Sequence, residues 1–202
     1  MSLSAAETNE EELVRRIQRG DEAAFDKLLD ICGPRVFSLT YRMIGNHDDA
    51  QDVAQEAFIH IYRGIKKFDW RASFTTWMYR IVTNVCLNEI RRRKRLPVMF
   101  EDVVAKENFT LEDIPQTGEL PEEEALKRER QEELLRALHQ LPENNRLLVL
   151  LYDVQGLSYQ QISDTLGVNL GTVKSRLNRA RLMLRELVKE TGNKSTLPPR
   201  KN

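Results

Sequence analysis

The sequence predicts an all-α protein: two small helical domains joined by an acidic flexible linker. Three observations carry this. Apolar residues recur at helical spacing along nearly the whole chain, with no convincing run of strand alternation. Only 9 glycines and 7 prolines punctuate the 202 residues. The periodicity lapses in one long stretch, after Leu96-Pro97, where acids crowd together. The predicted units are a domain over 8–95, a linker over 96–121, a domain over 122–190 and a disordered tail over 191–202.

Each element has a local reason. The first helix runs from about Glu10 to Arg19 and stops at Gly20, with Asp21 placed to cap the next. That helix turns Phe25, Leu28 and Leu29 inward. A further helix is expected after Gly33-Pro34, carrying Val36, Leu39, Tyr41 and Met43 and closing at Gly45. Asn46 caps a helix to about Ile65, whose residues Ala50, Val53, Ala54, Ala57, Phe58, Ile61 and Ile65 trace one face. A loop from Lys66 to Ser73 leads to a helix over about Phe74 to Arg95, with a stripe of Phe74, Trp77, Met78, Ile81, Val82 and Val85.

From Glu101 to Glu124 nine acids face one base, Lys106, a net of −8, with Pro115, Gly118 and Pro121 among them. Such a segment repels itself and stays extended. About 25 residues at ~3.3 Å each reach ~80 Å, or ~24 base pairs of duplex, so the two modules can act at separated sites. Helices resume at Pro121, a residue suited to a first turn. They run to about Gln140, then Pro142 to Val154, Ser158 to Leu166 and Leu170 to Val188.

Composition excludes several classes. Lys plus Arg is 31 and Asp plus Glu is 31, so the chain is not a polycation that coats nucleic acid by charge alone. Neutrality hides opposed blocks: +5 over residues 80–95, −8 in the linker and +5 over 170–189. Two cysteines, Cys32 and Cys86, make neither a disulfide framework nor a four-ligand zinc site, and are expected to be small core residues. No apolar run reaches the roughly 18 to 20 residues that span a membrane. The acidic start, with Glu7, Glu10, Glu11 and Glu12, is unlike a signal peptide. A protein that is not membrane-embedded and works in the cytoplasm is expected. His47, Asp48, Asp49 and Asp52 suggest a metal site at first sight, but acids in a first helical turn complement the helix dipole. Without a phosphate-binding glycine loop or nucleophile elbow, no catalytic residue, metal or cofactor is expected.

The segment LSYQQISDTLGVNLGTVKSRLNRAR carries the sharpest signal. Ser158 and Gln161 form a capping box, Gly167 ends the first helix in a left-handed turn, and Asn169 caps the second. The second helix is expected to bury Leu170, Val173, Leu177, Leu184 and Leu187. This is a helix-turn-helix. Thr172, Lys174, Ser175, Arg176, Asn178, Arg179, Arg181 and Arg185 face outward, where arginine can pair with guanine and asparagine with adenine in the major groove. A basic last turn alone only complements the helix dipole. The capping box, glycine turn and dense basic face together point to DNA.

Two faces of the first module are informative. Opposite the buried stripe of 74–95 lie Arg80, Thr83, Asn84, Leu87, Asn88 and Arg91, ending in the run Arg91 to Arg95. Phe68, Asp69, Trp70 and Arg71 precede Phe74 and Trp77. Rings among bases and amides suit unpaired nucleotides, although Trp77 is best explained as core. The outer face of 47–65 carries Asp52, Gln55, Glu56, Ile59 and Arg63: acids around one exposed apolar side chain, a weak partner site by itself.

These motifs resemble the group IV (extracytoplasmic function) RNA polymerase sigma factors of the sigma-70 family, over roughly Glu12 to Val188. The resemblance rests on GDEAAFDKLL, YRMIGNHDDAQDVAQEAFIHIY and FTTWMYRIVTNVCLNEIRRRKR, then on LPENNRLLVLLYDVQGLSYQQISDTLGVNLGTVKSRLNRARLMLREL. It implies a region 2-like and a region 4-like domain. Asp52, Gln55, Glu56 and Ile59 then match the surface that docks on the β′ coiled coil of core polymerase. The loop Phe68 to Phe74, with Trp70 and Arg71, and the face carrying Arg80, Thr83, Asn84, Asn88 and Arg91 match the −10 reader. The position of Asn84 helps to hold a flipped base in relatives. Thr172, Lys174, Ser175, Arg176, Asn178 and Arg179 match the −35 reader. Many relatives have proline where Asn169 stands.

The implied partners are core polymerase, through β′ and β, promoter DNA and a cognate anti-sigma factor. The free chain is expected to be monomeric and to serve a stress or envelope regulon. A stand-alone transcriptional regulator shares the helix-turn-helix but leaves the aromatics and the linker unexplained.

Overall fold

The computed structural model describes residues 5–95 and 121–195, with side chains over 9–95 and 129–190. Most of the predicted linker and the end of the predicted tail lie outside the described residues. The first module is α1 (Ala5–Gln18), α2 (Ala23–Ile44), α3 (His47–Ile65) and α4 (Phe74–Arg95). The second is α5 (Pro121–Gln140), α6 (Glu143–Val149), a π turn over Leu150–Val154, α7 (Tyr159–Leu166) and α8 (Leu170–Ser195). Among the described residues there is no strand.

Several boundaries follow the local chemistry. Gly20 and Gly45 take left-handed φ values of 97° and 93° after α1 and α2. The Asp21 carboxylate accepts from the Ala24 N–H at 3.2 Å, and the Asn46 side chain accepts from the Asp49 N–H at 3.0 Å.

Boundaries differ from expectation at four places: α1 begins at Ala5 rather than at about Glu10, the helix expected over Pro142 to Val154 is α6 followed by the π turn, and two further differences have a clear physical cause. The break expected at Gly33-Pro34 does not occur: α2 runs straight through. Proline removes one helical hydrogen bond, a cost of about 3 kcal/mol in a helix interior. Leu28, Cys32, Val36, Leu39 and Met43 lie on both sides of it and are all buried. Each large aliphatic contributes ~1.5–3 kcal/mol, so the shared face outweighs the missing bond. At the far end, α8 continues to Ser195, past the boundary expected at 190. Gly192 lies within it; one glycine costs only about 1 kcal/mol and does not by itself stop a helix.

Helix α4 is the hub. Phe74, Met78, Val82, Val85 and Cys86 are buried as expected, whereas Trp77 and Ile81 are half-buried. Thr75, Thr76, Tyr79 and Thr83 are buried as well, a wider face than one stripe. The reason is that α4 is covered by the first module on one side and by α7 on another. The two modules share one continuous core.

Specific polar contacts hold that junction. The Tyr79 hydroxyl donates to Gln155 Oε1 at 2.7 Å, and Gln155 Nε2 donates to the Arg35 carbonyl at 3.4 Å. Burial pushes the Tyr79 phenol far above its ordinary range, so it remains a donor. Arg146 donates to the Met43 carbonyl at 2.7 Å, to His139 Nδ1 at 2.8 Å and to the His139 carbonyl at 2.8 Å. Lys94 pairs with Glu143. Beneath the junction, Glu10 is only 1% exposed; it pairs with Arg35 and accepts from Thr75 at 3.3 Å.

Candidate functional site

The helix-turn-helix is built from its caps. The Ser158 hydroxyl accepts from the Gln161 N–H at 3.2 Å, while Gln161 Oε1 accepts from the Ser158 N–H at 2.8 Å. Gly167 turns the chain at φ 65°. Asn169 Oδ1 accepts from both the N–H and the hydroxyl of Thr172, at 2.8 and 2.7 Å. Val173, Leu177 and Ala180 seat α8 on the core. Leu170, expected inside, is exposed at the first residue of α8; Leu184 and Leu187 are half-buried.

The outward row is Lys174, Ser175, Arg176, Asn178 and Arg179, all exposed. Thr172 is half-buried and its hydroxyl is committed to Asn169. Arg181, counted with the basic face in the sequence, is held within the module. It donates to Asp153 Oδ2 at 2.9 Å and lies 4.7 Å above the ring of Tyr152. Tyr152 stacks on Tyr159 at 4.8 Å and 15°, with Lys174 Nζ 5.9 Å from the Tyr159 ring. A cation–ring–ring–cation stack thus ties α8 to the π turn and α7. Sequence reasoning missed it, since its members are spread over about thirty residues with no periodic signal.

On α4, Arg80, Asn84, Asn88 and Arg91 are exposed at helical spacing. Thr83, expected beside them, is buried, and its hydroxyl donates to the Arg80 carbonyl at 3.2 Å. Phe68 and Phe74 are also buried. Phe68 packs 5.2 Å from Trp77 and 6.2 Å from Phe74, so these rings form the floor of the 66–73 loop. Trp70 is half-buried above Phe68 at 4.9 Å. Asp69 and Arg71 stay exposed and pair at 2.8 Å.

The basic run at the end of α4 is partly neutralised. Glu89 takes Arg92 and Arg93 at 2.7 Å each, and Asp49 takes Arg93 at 2.8 Å. The Arg92 hydrogen bond, then that of Arg93, holds the Glu89 carboxyl at about 2.

On α3, Asp52, Gln55, Glu56 and Ile59 are exposed together. Ile59 is not alone: Tyr62, one turn on, is 45% exposed and packs edge-on against Phe25 at 4.8 Å. Its i+3 spacing from Ile59 was the available signal. Cys32 and Cys86 are buried, which pushes their thiols up to about 11 and about 12. Both are core residues.

The comparisons agree with this layout. The family model described as Sigma-70 region 2 matches residues 28–96, and that described as Sigma-70, region 4 matches 131–184. The chain is 34% identical over 178 residues to the ECF RNA polymerase sigma factor SigW of Bacillus subtilis, covering 88% of this chain and 95% of the relative. It is 38% identical over 177 residues to the RNA polymerase sigma-H factor of Pseudomonas aeruginosa, covering 85% and 90%. The sigma factor RpoE of Bartonella quintana, solved with the anti-sigma factor NepR, superposes with a TM-score of 0.65 at 26% identity, covering 82% of this chain and 96% of that one. With both conserved regions present in order and whole-length relatives above 30% identity, the chain belongs to the extracytoplasmic function sigma factors of the sigma-70 family, non-enzymatic factors of transcription initiation.

Proposed function

We propose that the chain brings core RNA polymerase to promoters through two separate DNA contacts. Helix α8 enters the −35 major groove with Lys174, Ser175, Arg176, Asn178 and Arg179. The α4 row of Arg80, Asn84, Asn88 and Arg91, with the 66–73 loop, takes the unpaired −10 bases. Melting proceeds by capture: unpairing costs a few kcal/mol per flipped base, which pocket contacts offset. No nucleotide hydrolysis is required. The α3 patch of Asp52, Gln55, Glu56, Ile59 and Tyr62 docks on the β′ coiled coil, and the second module meets the β subunit. An anti-sigma factor, as in the solved Bartonella complex, holds the chain inactive in the cytoplasm until a stress signal releases it.

The observation that carries this reading is a pair of exposed polar rows, one per module, each on a capped or core-anchored helix. Rigid presentation is what direct base contact requires. The predicted linker allows the modules to part on a promoter.

The test is run-off transcription by core polymerase with and without the chain, with start sites mapped. Factor-dependent starts preceded by paired −35 and −10 sequences are expected. Tight duplex binding by the chain alone, with no initiation in the presence of core, refutes the proposal and favours a stand-alone regulator.

A further inference from the structure

We infer that α1 acts as a strut for the 66–73 loop, with Gln18 as a positioning residue for −10 selectivity. The inference rests on the loop being part of the −10 reader, as proposed above. Helix α1 precedes the residues matched by the region 2 family model, which begin at 28.

Three contacts place it. Gln18 Nε2 donates to the carbonyls of Ile65 at 3.1 Å and Phe68 at 2.7 Å. Ile65 is the last residue of α3 and its carbonyl also accepts from the Phe68 N–H at 3.2 Å, so Gln18 clasps the turn by which the chain leaves the helix. Gln18 Oε1 accepts from the indole N–H of Trp70 at 3.0 Å. One amide thus satisfies three groups across about fifty residues of sequence, and the donor pattern fixes which way it points. On the other side, the Arg15 guanidinium sits 4.1 Å over the Trp70 ring.

The loop needs such a brace. Among the described residues, Trp70 is the only non-glycine with positive φ, at 62°. A bulky side chain rests there only when its surroundings hold it. Gln18, Arg15 and Phe68 all contact the half-buried indole, so Trp70 is not presented as an open stacking platform. What the loop presents is Asp69 and Arg71, the exposed neighbours whose direction depends on the Trp70 backbone. Gln18 therefore acts on DNA through Trp70.

The experiment uses the full chain with core polymerase and two promoter libraries, one randomised at −10 and one at −35, with transcripts sequenced. Gln18→Ala is expected to change the base preference at one or more −10 positions by at least ~2- to 10-fold, the range set by its bond to Trp70 alone. The −35 profile should stay the same. Trp70→Phe, which keeps the ring but loses the indole donor, should shift the same positions. The double variant should shift them no further than Gln18→Ala alone, because Trp70→Phe removes one of the contacts that Gln18→Ala already breaks. Arg15→Gln, at an exposed position, supplies a second probe if Gln18→Ala folds poorly, and should move the same positions. An unchanged −10 profile for the folded Gln18 or Arg15 variant, or fully additive shifts, overturns the strut. If Asp69→Ala and Arg71→Ala also leave the −10 profile unchanged, the loop itself is not a reader, and that earlier proposal fails instead.

Discussion

Replacing Gly45 by alanine tests whether the two modules dock in solution as they do in the structure. Gly45 ends α2 at φ 93°, and its N–H donates to the Tyr41 carbonyl at 2.8 Å. An added Cβ would lie 2.8 Å from His139 Cε1 and 3.2 Å from Nε2. That ring belongs to α5 of the second module and is pinned by Arg146, which also grips the Met43 carbonyl. The cost has two parts. A left-handed alanine costs about 1–2 kcal/mol. Overpacking against a held ring adds ~1–3 kcal/mol. Gly20 provides the control, since it has φ 97° and nothing within 4 Å of its added Cβ. Gly20→Ala should therefore lose only the first part.

The assay is urea unfolding followed by the fluorescence of Trp70 and Trp77, combined with small-angle scattering. Gly45→Ala should lose more stability than Gly20→Ala, or the modules should part and the radius of gyration rise. Adding His139→Ala to Gly45→Ala should remove the excess, judged against His139→Ala alone. Equal losses for the two glycine variants, with no expansion, would refute the docking of α5 against the end of α2.

Burial, then the charge of Arg146, lowers the His139 pKa to about 4 from 6.5. The folded state keeps the ring neutral while the unfolded chain takes a proton, so this stabilisation is present above pH 6.5 and is lost as pH falls towards 4. Urea unfolding should show a loss of ~1–2 kcal/mol by pH 5 that His139→Gln lacks. Asn169→Ala removes the cap of α8 and should cost about 1 kcal/mol in thermal unfolding, with weaker −35 binding. Arg176→Ala should cost ~1–3 kcal/mol and relax one −35 position in a binding-site selection; a uniform loss at every sequence would assign it to phosphate instead. A thiol reagent at pH 8 should leave Cys32 and Cys86 unmodified in the native chain and label both on unfolding, because burial keeps the thiolate scarce. Rapid native labelling would contradict their place in the core.

Much of the molecule was legible in its sequence, for a local reason. The caps at Asn46, Ser158 and Asn169 and the left-handed turns at Gly20, Gly45 and Gly167 depend on atoms within one turn of chain. The outward faces of α3, α4 and α8 follow from helical spacing, because one buried stripe determines what remains outside. The misplacements share a cause. Pro34 was given the weight of a helix breaker because local rules omit the burial on both sides of it. Phe68 is expected at a surface because nothing local distinguishes a loop's floor from its rim, and Thr83 because helical spacing predicts one buried stripe where α4 is covered on two sides.

The sequence by itself therefore determined the helices, their caps, the two-part division and the chemical character of each exposed row. Tertiary structure alone decided which of those charges stay available. Arg181 is taken by Asp153, Arg93 by Asp49 and Glu89, and Lys94 by Glu143. It also decided that Gln18 meets Trp70 and that His139 meets Gly45. Caps and periodicity are set by neighbours a few residues away, at distances the backbone dictates. Pairings across tens of residues depend on how whole helices seat against one another, and no local rule contains that geometry.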